Sequence, residues 1–215
     1  MNYRLEKIFS AIPTCETFAD IGCDHGYITK AMMDSGKCKN AIISDVSEKC
    51  LDKARGLLED YIKEGRVTSV VSDGFDKVEG CDVALIAGMG GEEIVSILSK
   101  TKNLPQKLVL QPMKNPDKVR VTAVKLGYRI ESDSVFFSGD KYYDLMVLSK
   151  GKDCLTADEI EFGRTNILSS SEDFKRLINE RLQIIEDCLK KDNLSDRAKE
   201  ELTAKAEKLK KLCIV

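Results

Sequence analysis

Residues 18–27, which read FADIGCDHGY, have the pattern of a strand, a tight turn and the start of a helix. The apolar run ends at Asp20, and Gly22 and Gly26 follow it. Gly22 permits close approach of the backbone to a ligand, and Gly26 permits a left-handed turn or tight helix packing. A dinucleotide-binding loop would have a second glycine where this chain has Asp24, so a carboxylate would face the pyrophosphate. The stretch therefore predicts a ligand site that does not suit a dinucleotide.

Acidic residues also end the next two predicted strands. Asp45 ends an apolar run twenty-three residues after Gly22, and Asp73 follows the β-rich run 67–72. The carboxyl ends of parallel strands meet at one edge of a sheet, so Asp20, Asp45 and Asp73 should line one crevice. Such acids suit S-adenosyl-L-methionine, which has a cationic sulfonium and amine and no phosphate, with Asp45 on the ribose hydroxyls. The alternative is that all three are ordinary turn residues.

Length and composition bound the class of protein. The 215 residues can form one α/β domain of about 150 residues with an appendage. Although 42% of the residues are hydrophobic, no apolar run approaches the roughly 20 residues that span a bilayer, so we expect a soluble protein with no membrane partner. The first residues lack the apolar core of a signal peptide, which predicts a cytoplasmic location.

The eight cysteines never form a C-x-x-C pair, and the single histidine is His25. We therefore expect reduced thiols and no metal site. Cys23 is the one candidate for a reactive thiol, because it precedes a predicted helix start.

Strand and helix patterns alternate over the first 150 residues. Predicted helices cover residues 4–12, 28–36, 47–61, 92–98 and 116–126, and the later predicted strands cover residues 81–87, 108–112, 128–137 and 142–149. Pro13 should end the first helix, and Ser47 should be the N-cap of the third. Residues 138–141 between the last two strands are typical of a hairpin turn. A parallel βα series closed by an antiparallel hairpin is the topology of the α/β class I Rossmann-like methyltransferases. That architecture supports many chemistries, so it does not by itself identify a reaction.

Residues 151–215 have a helical pattern of their own. Thr156 and Glu159 have the spacing of a capping box, and apolar stripes run over residues 174–189 and 198–213. A polar turn at 192–195 would join them in a coiled-coil-like α-helical hairpin. We therefore predict a methyltransferase domain at 1–150, able to fold without the helical domain at 151–215, in a monomer or weak homodimer.

Residues 100–129, which we call the basic stretch, concentrate positive charge in a chain whose net charge is −2. They hold eight basic residues and one acid, a net charge of +7. An isolated run of this kind is usually a solvated face. This one adjoins the predicted ligand edge of the sheet, which favours a surface for a polyanion.

The motifs together resemble one family, the bacterial tRNA (adenine-N1)-methyltransferases of the TrmK type, which act on adenine 22 of tRNA. The resemblance covers nearly the whole chain. The motifs that carry it are Arg4-Leu5, ADIGCDHGYI at 19–28, SDV at 44–46, SDG at 72–74, AGMGG at 87–91, LQP at 110–112, GYRI at 127–130 and the helical tail. It implies binding of S-adenosyl-L-methionine and methyl transfer to N1 of adenine in tRNA.

The motifs and the resemblance together predict the site residues. The predicted cofactor-binding residues are Asp20, Gly22, Cys23, His25, Gly26, Asp45, Val46, Asp73, Gly74, Gly88, Met89 and Gly90. Adenine N1 already has an in-plane lone pair, so the reaction needs positioning more than a strong base. Asp24 is our catalytic candidate, because a carboxylate stabilises the developing cation or accepts the proton of the exocyclic amine. The alternative roles of Asp24 are capping the next helix and contacting the cofactor amine. The alternative for His25 is a structural role.

The target atom and the partner follow from two further features. Methyltransferases that modify amino groups commonly carry N-P-P-Y or D-P-P-Y after strand four, whereas this chain has GMGG at 88–91. This favours a ring nitrogen. Lys114, Lys118 and Arg120 are predicted to bind tRNA together with the helical hairpin. The rival functions are a small-molecule methyltransferase and a noncatalytic RNA-binding protein.

Overall fold

The computed structural model describes residues 1–101, 103–191 and 194–213. Lys102 of the basic stretch, residues 192 and 193 of the predicted turn, the side chain of Cys213, and residues 214–215 lie outside the described part. Within the described part, no helix has the length and apolar character that crossing a membrane requires.

A seven-stranded mixed sheet forms the centre of the molecule. Its strands are β1 (Cys15–Ile21), β2 (Cys38–Asp45), β3 (Val67–Val71), β4 (Val83–Met89), β5 (Lys107–Pro112), β6 (Tyr128–Ser138) and β7 (Lys141–Lys150). The spatial order is β3-β2-β1-β4-β5-β7-β6. The first five strands in this order are parallel, and β7 is antiparallel to both of its neighbours. The predicted Rossmann-like methyltransferase topology is confirmed.

Helices pack on both faces of the sheet, and those between β1 and β3 and between β4 and β5 connect parallel strands. The described helices are α1 (Tyr3–Ala11), α2 (Tyr27–Asp34), α3 (Glu48–Leu57), α4 (Glu59–Lys63), α5 (Gly91–Lys100), α6 (Pro116–Lys125), α7 (Ala157–Phe162), α8 (Arg164–Ser169), α9 (Glu172–Leu189) and α10 (Asp196–Cys213). Ser47 caps α3 by accepting a hydrogen bond from the Cys50 amide. The helix predicted over 47–61 is divided at Leu58, whose buried side chain packs beside Gly26 and whose backbone leaves the helical region.

The core has one layer on each face of the sheet. Ile8, Met32 and Leu51 of the first three helices pack on one face with apolar side chains of β1 and β2. Ile94 of α5 and Val119 of α6 pack on the other face. Residues of β4 alternate between the two layers, which is why this strand reads as a continuous apolar run. Burial on both faces holds the carboxyl ends of β1, β2 and β4 together at one edge.

The C-terminal helices pack along β6, the strand at the edge of the sheet. Thr156 and Glu159 form the predicted capping box at the start of α7. Side chains from this region accept hydrogen bonds from backbone amides of β6, as a neighbouring strand would. The pairs are Ile130 to Asp153 at 3.0 Å, Asp133 to Thr165 at 3.0 Å, Val135 to Asn166 at 2.8 Å and Phe137 to Asp173 at 3.1 Å. The helical region therefore satisfies backbone donors of the edge strand that another strand would otherwise have to pair.

Candidate active site

The turn after β1 has the geometry that its glycines predict. Gly22 has a φ of 73°, and a Cβ atom there would overlap the terminal methyl group of Met89. Gly26, the N-cap of α2, has a φ of 72° and packs so closely on α3 that a Cβ atom would lie 3.1 Å from that of Ala54. Gly26 therefore has both predicted features, a left-handed backbone and tight packing against a helix.

Three carboxylates lie at the carboxyl edge of the sheet, each in a different environment. Asp20 is 6% exposed and accepts a 2.8 Å hydrogen bond from the Thr29 hydroxyl. Burial and, to a lesser extent, the neighbouring charge of Asp45 raise its pKa to about 6, against the lowering effect of the hydrogen bonds from Thr29. Asp45 accepts a 2.8 Å hydrogen bond from the Ser47 amide through one oxygen. Asp73 pairs with Lys100 at 2.6 Å.

Two adjoining cavities open along this edge. The first, of about 440 Å³, lies over β1 and β4, and the second, of about 430 Å³, lies over β2 and β3. Gly22, Asp45 and Met89 line both cavities. The other predicted residues that line the first cavity are Asp20, Cys23, Asp24, His25 and Gly88. Those that line the second are Val46, Asp73 and Gly74. Gly26 and Gly90 line neither: Gly26 packs on α3, and Gly90 is the N-cap of α5.

Met89 separates the two cavities. The register of β4 against β5 shifts between Ala87 and Met89, and Gly88 between them has a φ of 81°. A bulge of this kind redirects the next side chain. Here it places the side chain of Met89 over Gly22, so this flexible thioether lies where the two cavities adjoin.

Asp24 and His25 lie at the mouth of the first cavity. Asp24 has a left-handed backbone with a φ of 48°, and one of its carboxylate oxygens lies 2.7 Å from Nδ1 of His25. The His25 ring stacks on Tyr27 with a centroid distance of 5.6 Å. Gly26 is the N-cap of α2, and that helix has no side-chain cap. The capping role for Asp24 is therefore wrong, which leaves chemistry and binding of the cofactor amine.

Cys23 does not have the environment of a reactive thiol. It is buried, and burial together with the charges of Asp20 and Asp45 raises its pKa. The thiol stays protonated and acts as a small apolar side chain. All seven cysteines whose side chains are described are free.

Two residues of the site escaped our list of site residues. Arg4 of α1 lines the first cavity and donates hydrogen bonds from Nε and Nη2 to the side-chain oxygen of Gln111, at 2.8 and 2.5 Å. Gln111 is fully buried near the end of β5. The only signal for either residue was its place in the motifs that carry the family resemblance, because their contact spans 107 positions of sequence.

The structure corrects one of the three predicted RNA-binding residues. Arg120 is 0% exposed and forms ion pairs with Asp133 at 3.1 Å and Asp144 at 2.8 Å. Its prediction as an RNA contact is wrong, because a guanidinium enclosed between two carboxylates does not reach a phosphate. Lys114 is exposed, whereas the exposed Lys118 bonds to Glu92.

The chemistry of this crevice suits a cation better than a phosphate. Five acidic side chains line its two cavities, namely Asp20, Asp24, Asp45, Asp73 and Glu93. Two glycines at positive φ, Gly22 and Gly74, mark places where a Cβ atom would meet a neighbouring side chain. An elongated ligand with a sulfonium, an amine and a ribose fits this set of donors and acceptors. The acidic residues would repel a pyrophosphate.

Residues 1–146 match a family model described as a methyltransferase domain. A provisionally named tRNA methyltransferase of Mycoplasma pneumoniae is 38% identical over 104 residues, which are 46% of this chain and 47% of that protein. A second such protein, from Mycoplasma genitalium, is matched over 62% of its length. The matches thus span about half to three fifths of these curated relatives.

Solved structures extend the similarity over the whole chain. A Streptococcus pneumoniae protein, provisionally assigned as a tRNA (m1A22) methyltransferase, is 25% identical, with a TM-score of 0.90 over 99% of both chains. A complex of the same protein with S-adenosyl-L-methionine has a TM-score of 0.86 at 25% identity over 99% of this chain and 100% of that one. The ribosomal protein L11 methylase of Lactobacillus delbrueckii is 12% identical, with a TM-score of 0.52 over 68% of this chain and 77% of that one.

Proposed function

This chain belongs to the methyltransferase-domain family, and we propose that it transfers a methyl group from S-adenosyl-L-methionine to N1 of adenine 22 in tRNA. The observation that carries the proposal is the likeness over 99% of both chains to the S. pneumoniae protein. That likeness includes the C-terminal helices, whereas the L11 methylase matches only 68% of the chain. A shared helical region argues for a shared substrate class more strongly than the common catalytic fold does.

The two cavities offer places for the parts of this cofactor. Asp45 holds the ribose hydroxyls, because it lies at the end of β2 between the two cavities. Val46, Asp73 and Gly74 surround the base in the second cavity. Asp20 faces the cationic amine and sulfonium in the first cavity. The bound cofactor supplies an electrophilic methyl group, and the protein supplies position and charge.

The chemistry at the acceptor requires little more than alignment. Neutral adenine N1 attacks the methyl carbon through its in-plane lone pair while the carbon–sulfur bond breaks and S-adenosylhomocysteine leaves. The methylated ring is then cationic, or it loses a proton from its exocyclic amine. Asp24 stabilises this positive charge or takes the proton, because its exposed carboxylate lies at the cavity mouth. GMGG at 88–91 provides no polar side chain that would hold an exocyclic amine, which supports a ring nitrogen as the acceptor.

The partner and setting complete the proposal. Folded tRNA contacts exposed lysines of the basic stretch, such as Lys114 and Lys118, and the helical region, before the adenine is unstacked into the first cavity. The enzyme works in the cytoplasm without a metal, as a monomer or weak homodimer.

A methyl-transfer assay with tritium-labelled S-adenosyl-L-methionine tests this function. The proposal expects label in tRNA and a reverse-transcription stop at position 22, because a methyl group on N1 blocks base pairing. A transcript with guanine at position 22 is the control and should take no label. Label in small molecules alone, or binding of tRNA without label, would replace the proposal with one of its two rivals.

A further inference from the structure

Arg4 is a cation without an acidic partner in an otherwise acidic cavity. It is partly buried, and its ring contact is with Tyr143, 5.4 Å from the guanidinium carbon. No ion pair joins Arg4 to a carboxylate of the described residues. Burial lowers its pKa, as expected for a cation that no carboxylate compensates. A partly buried, unpaired arginine normally has an anionic partner.

The orientation of Arg4 is set by the sheet. Gln111 Nε2 donates a 3.0 Å hydrogen bond to the carbonyl of Pro112, which turns the Gln111 oxygen toward Arg4. That oxygen accepts two hydrogen bonds from the guanidinium. On the other side, a Cβ atom at Gly88 would lie 2.9 Å from Arg4 Nη2, so any larger residue there would displace the guanidinium. Arg4 is thus held over the end of β4, at the wall of the first cavity.

We propose that Arg4 binds the carboxylate of the methionine moiety of the cofactor, with Gln111 as its positioning residue. This inference rests on the proposed function. The methionine moiety is zwitterionic, so a cavity lined by Asp20, Asp24 and Asp45 attracts its amine and repels its carboxylate. Arg4 and His25 are the only basic side chains among the described residues that line this cavity, and His25 already faces Asp24. Arg4 supplies the missing charge.

The test compares two ligands by calorimetry. S-adenosylhomocysteine carries the carboxylate, and its decarboxylated analogue keeps the amine, the ribose and the base. Arg4→Met keeps the packed stem and removes the charge. We expect it to weaken S-adenosylhomocysteine binding about 10- to 100-fold, the scale of one charge-assisted interaction. It should change binding of the decarboxylated analogue less than about threefold.

Two further variants separate charge from structure. Arg4→Lys should recover part of the lost affinity, and Gln111→Leu should weaken only the ligand that has the carboxylate. Thermal unfolding without ligand identifies a variant that fails to fold, in which case Arg4→Lys and Gln111→Leu still give the comparison. Equal loss for both ligands would overturn the proposal in favour of a structural role. Failure of the parent protein to bind S-adenosylhomocysteine would refute the proposed function itself.

Discussion

Asp20 makes the stability of this protein depend on pH in an unusual direction. Its pKa is about 6 in the folded chain and 3.8 as a free side chain. Between these values the native state binds more protons than the unfolded state, so the free energy of unfolding falls as pH rises. The ionised, buried carboxylate costs on the order of 3 kcal/mol above pH 6. A site that binds a cation tolerates this cost because the ligand offsets it.

Asp20→Asn should remove this pH dependence. Urea unfolding of the parent protein from pH 4 to pH 7 should show a loss of stability relative to the variant as pH rises toward 6. The difference between the two proteins isolates Asp20, because other titrating groups contribute equally to both. A difference that stays constant across this range would mean that the Asp20 carboxyl is not perturbed.

Asp45 should be the ribose-binding acid. Asp45→Ala should weaken binding of S-adenosylhomocysteine by about 1.5 to 3 kcal/mol, the scale for lost charge-assisted hydrogen bonds. Asp45→Asn is the second variant, because its side-chain oxygen still accepts the hydrogen bond from the Ser47 amide that starts α3. Asp52→Ala, on the exposed face of α3, is the matched control. Unchanged calorimetric affinity in both Asp45 variants would remove this residue from the site.

Asp24 should affect rate more than affinity. Asp24→Asn keeps a residue type that tolerates the left-handed backbone at this position, so the turn should survive. We expect cofactor binding to be retained and turnover on tRNA to fall at least tenfold, because the charge is needed in the transition state. A parallel loss of cofactor affinity would instead assign Asp24 to the cofactor amine.

At the scale of elements, the sequence predicts best what depends on local chemistry. The cap at Ser47, the capping box at Thr156 and the stop after α1 at Pro13 are decided by neighbouring residues, and all three appear in the structure. The acidic strand ends were predictable because parallel strands bring their carboxyl ends to one edge. The local pattern thus predicted most of the acidic residues and glycines that line the two cavities.

What the sequence did not predict depends on distant contacts. Arg120 reads as one more cation of the basic stretch, yet its partners Asp133, Asp144 and the carbonyl of Ile160 lie 13, 24 and 40 positions away. Pairing of Arg4 with Gln111 likewise requires α1 to cross the end of β5. No periodicity or motif in one segment records the charge or shape of another segment.

The edge strand β6 should depend on side chains of the helical region. Asn166 is 1% exposed, accepts from the Val135 amide and donates to the carbonyl of Phe162. Asn166→Ala leaves both groups unsatisfied and should cost about 2 to 4 kcal/mol. Gln183→Ala, on the exposed face of α9, should change stability by less than about 0.5 kcal/mol. Equal effects in urea unfolding would contradict the role of Asn166.

The same contacts change what we expect from truncation. The sequence alone predicted that residues 1–150 fold without the rest, but four backbone amides of β6 bond to side chains between Asp153 and Asp173. Removal of residues 151–215 should therefore abolish a cooperative unfolding transition. A truncated chain that unfolds sharply at the midpoint of the parent would restore the original prediction.

At the scale of the whole molecule, ion pairs reduce the positive charge that the basic stretch presents. Arg120 is buried, Lys100 pairs with Asp73, Lys107 and Arg129 contact Glu131, and Lys118 bonds to Glu92. Lys114 and Lys125 are exposed and form no ion pair with the described residues. Lys118 remains available, because an exposed pair with Glu92 is weak and exchanges readily with a phosphate.

The tRNA surface can be tested by salt dependence. Replacing both Lys114 and Lys118 with alanine should weaken tRNA binding and lower the slope of log Kd against log salt by about 1.5 to 2, since each phosphate contact releases counterions. Cofactor affinity should stay unchanged, because the cofactor cavities depend on carboxylates. The matched control replaces Lys39 and Lys63, which are also exposed and pair with Glu16 and Glu59. They lie near the amino ends of β2 and β3, away from the cavities. This control should bind tRNA with the affinity and the salt slope of the parent protein, within experimental error. Equal losses in the two double variants would mean that tRNA senses only overall charge, and no loss in either would make the basic stretch a solvated face.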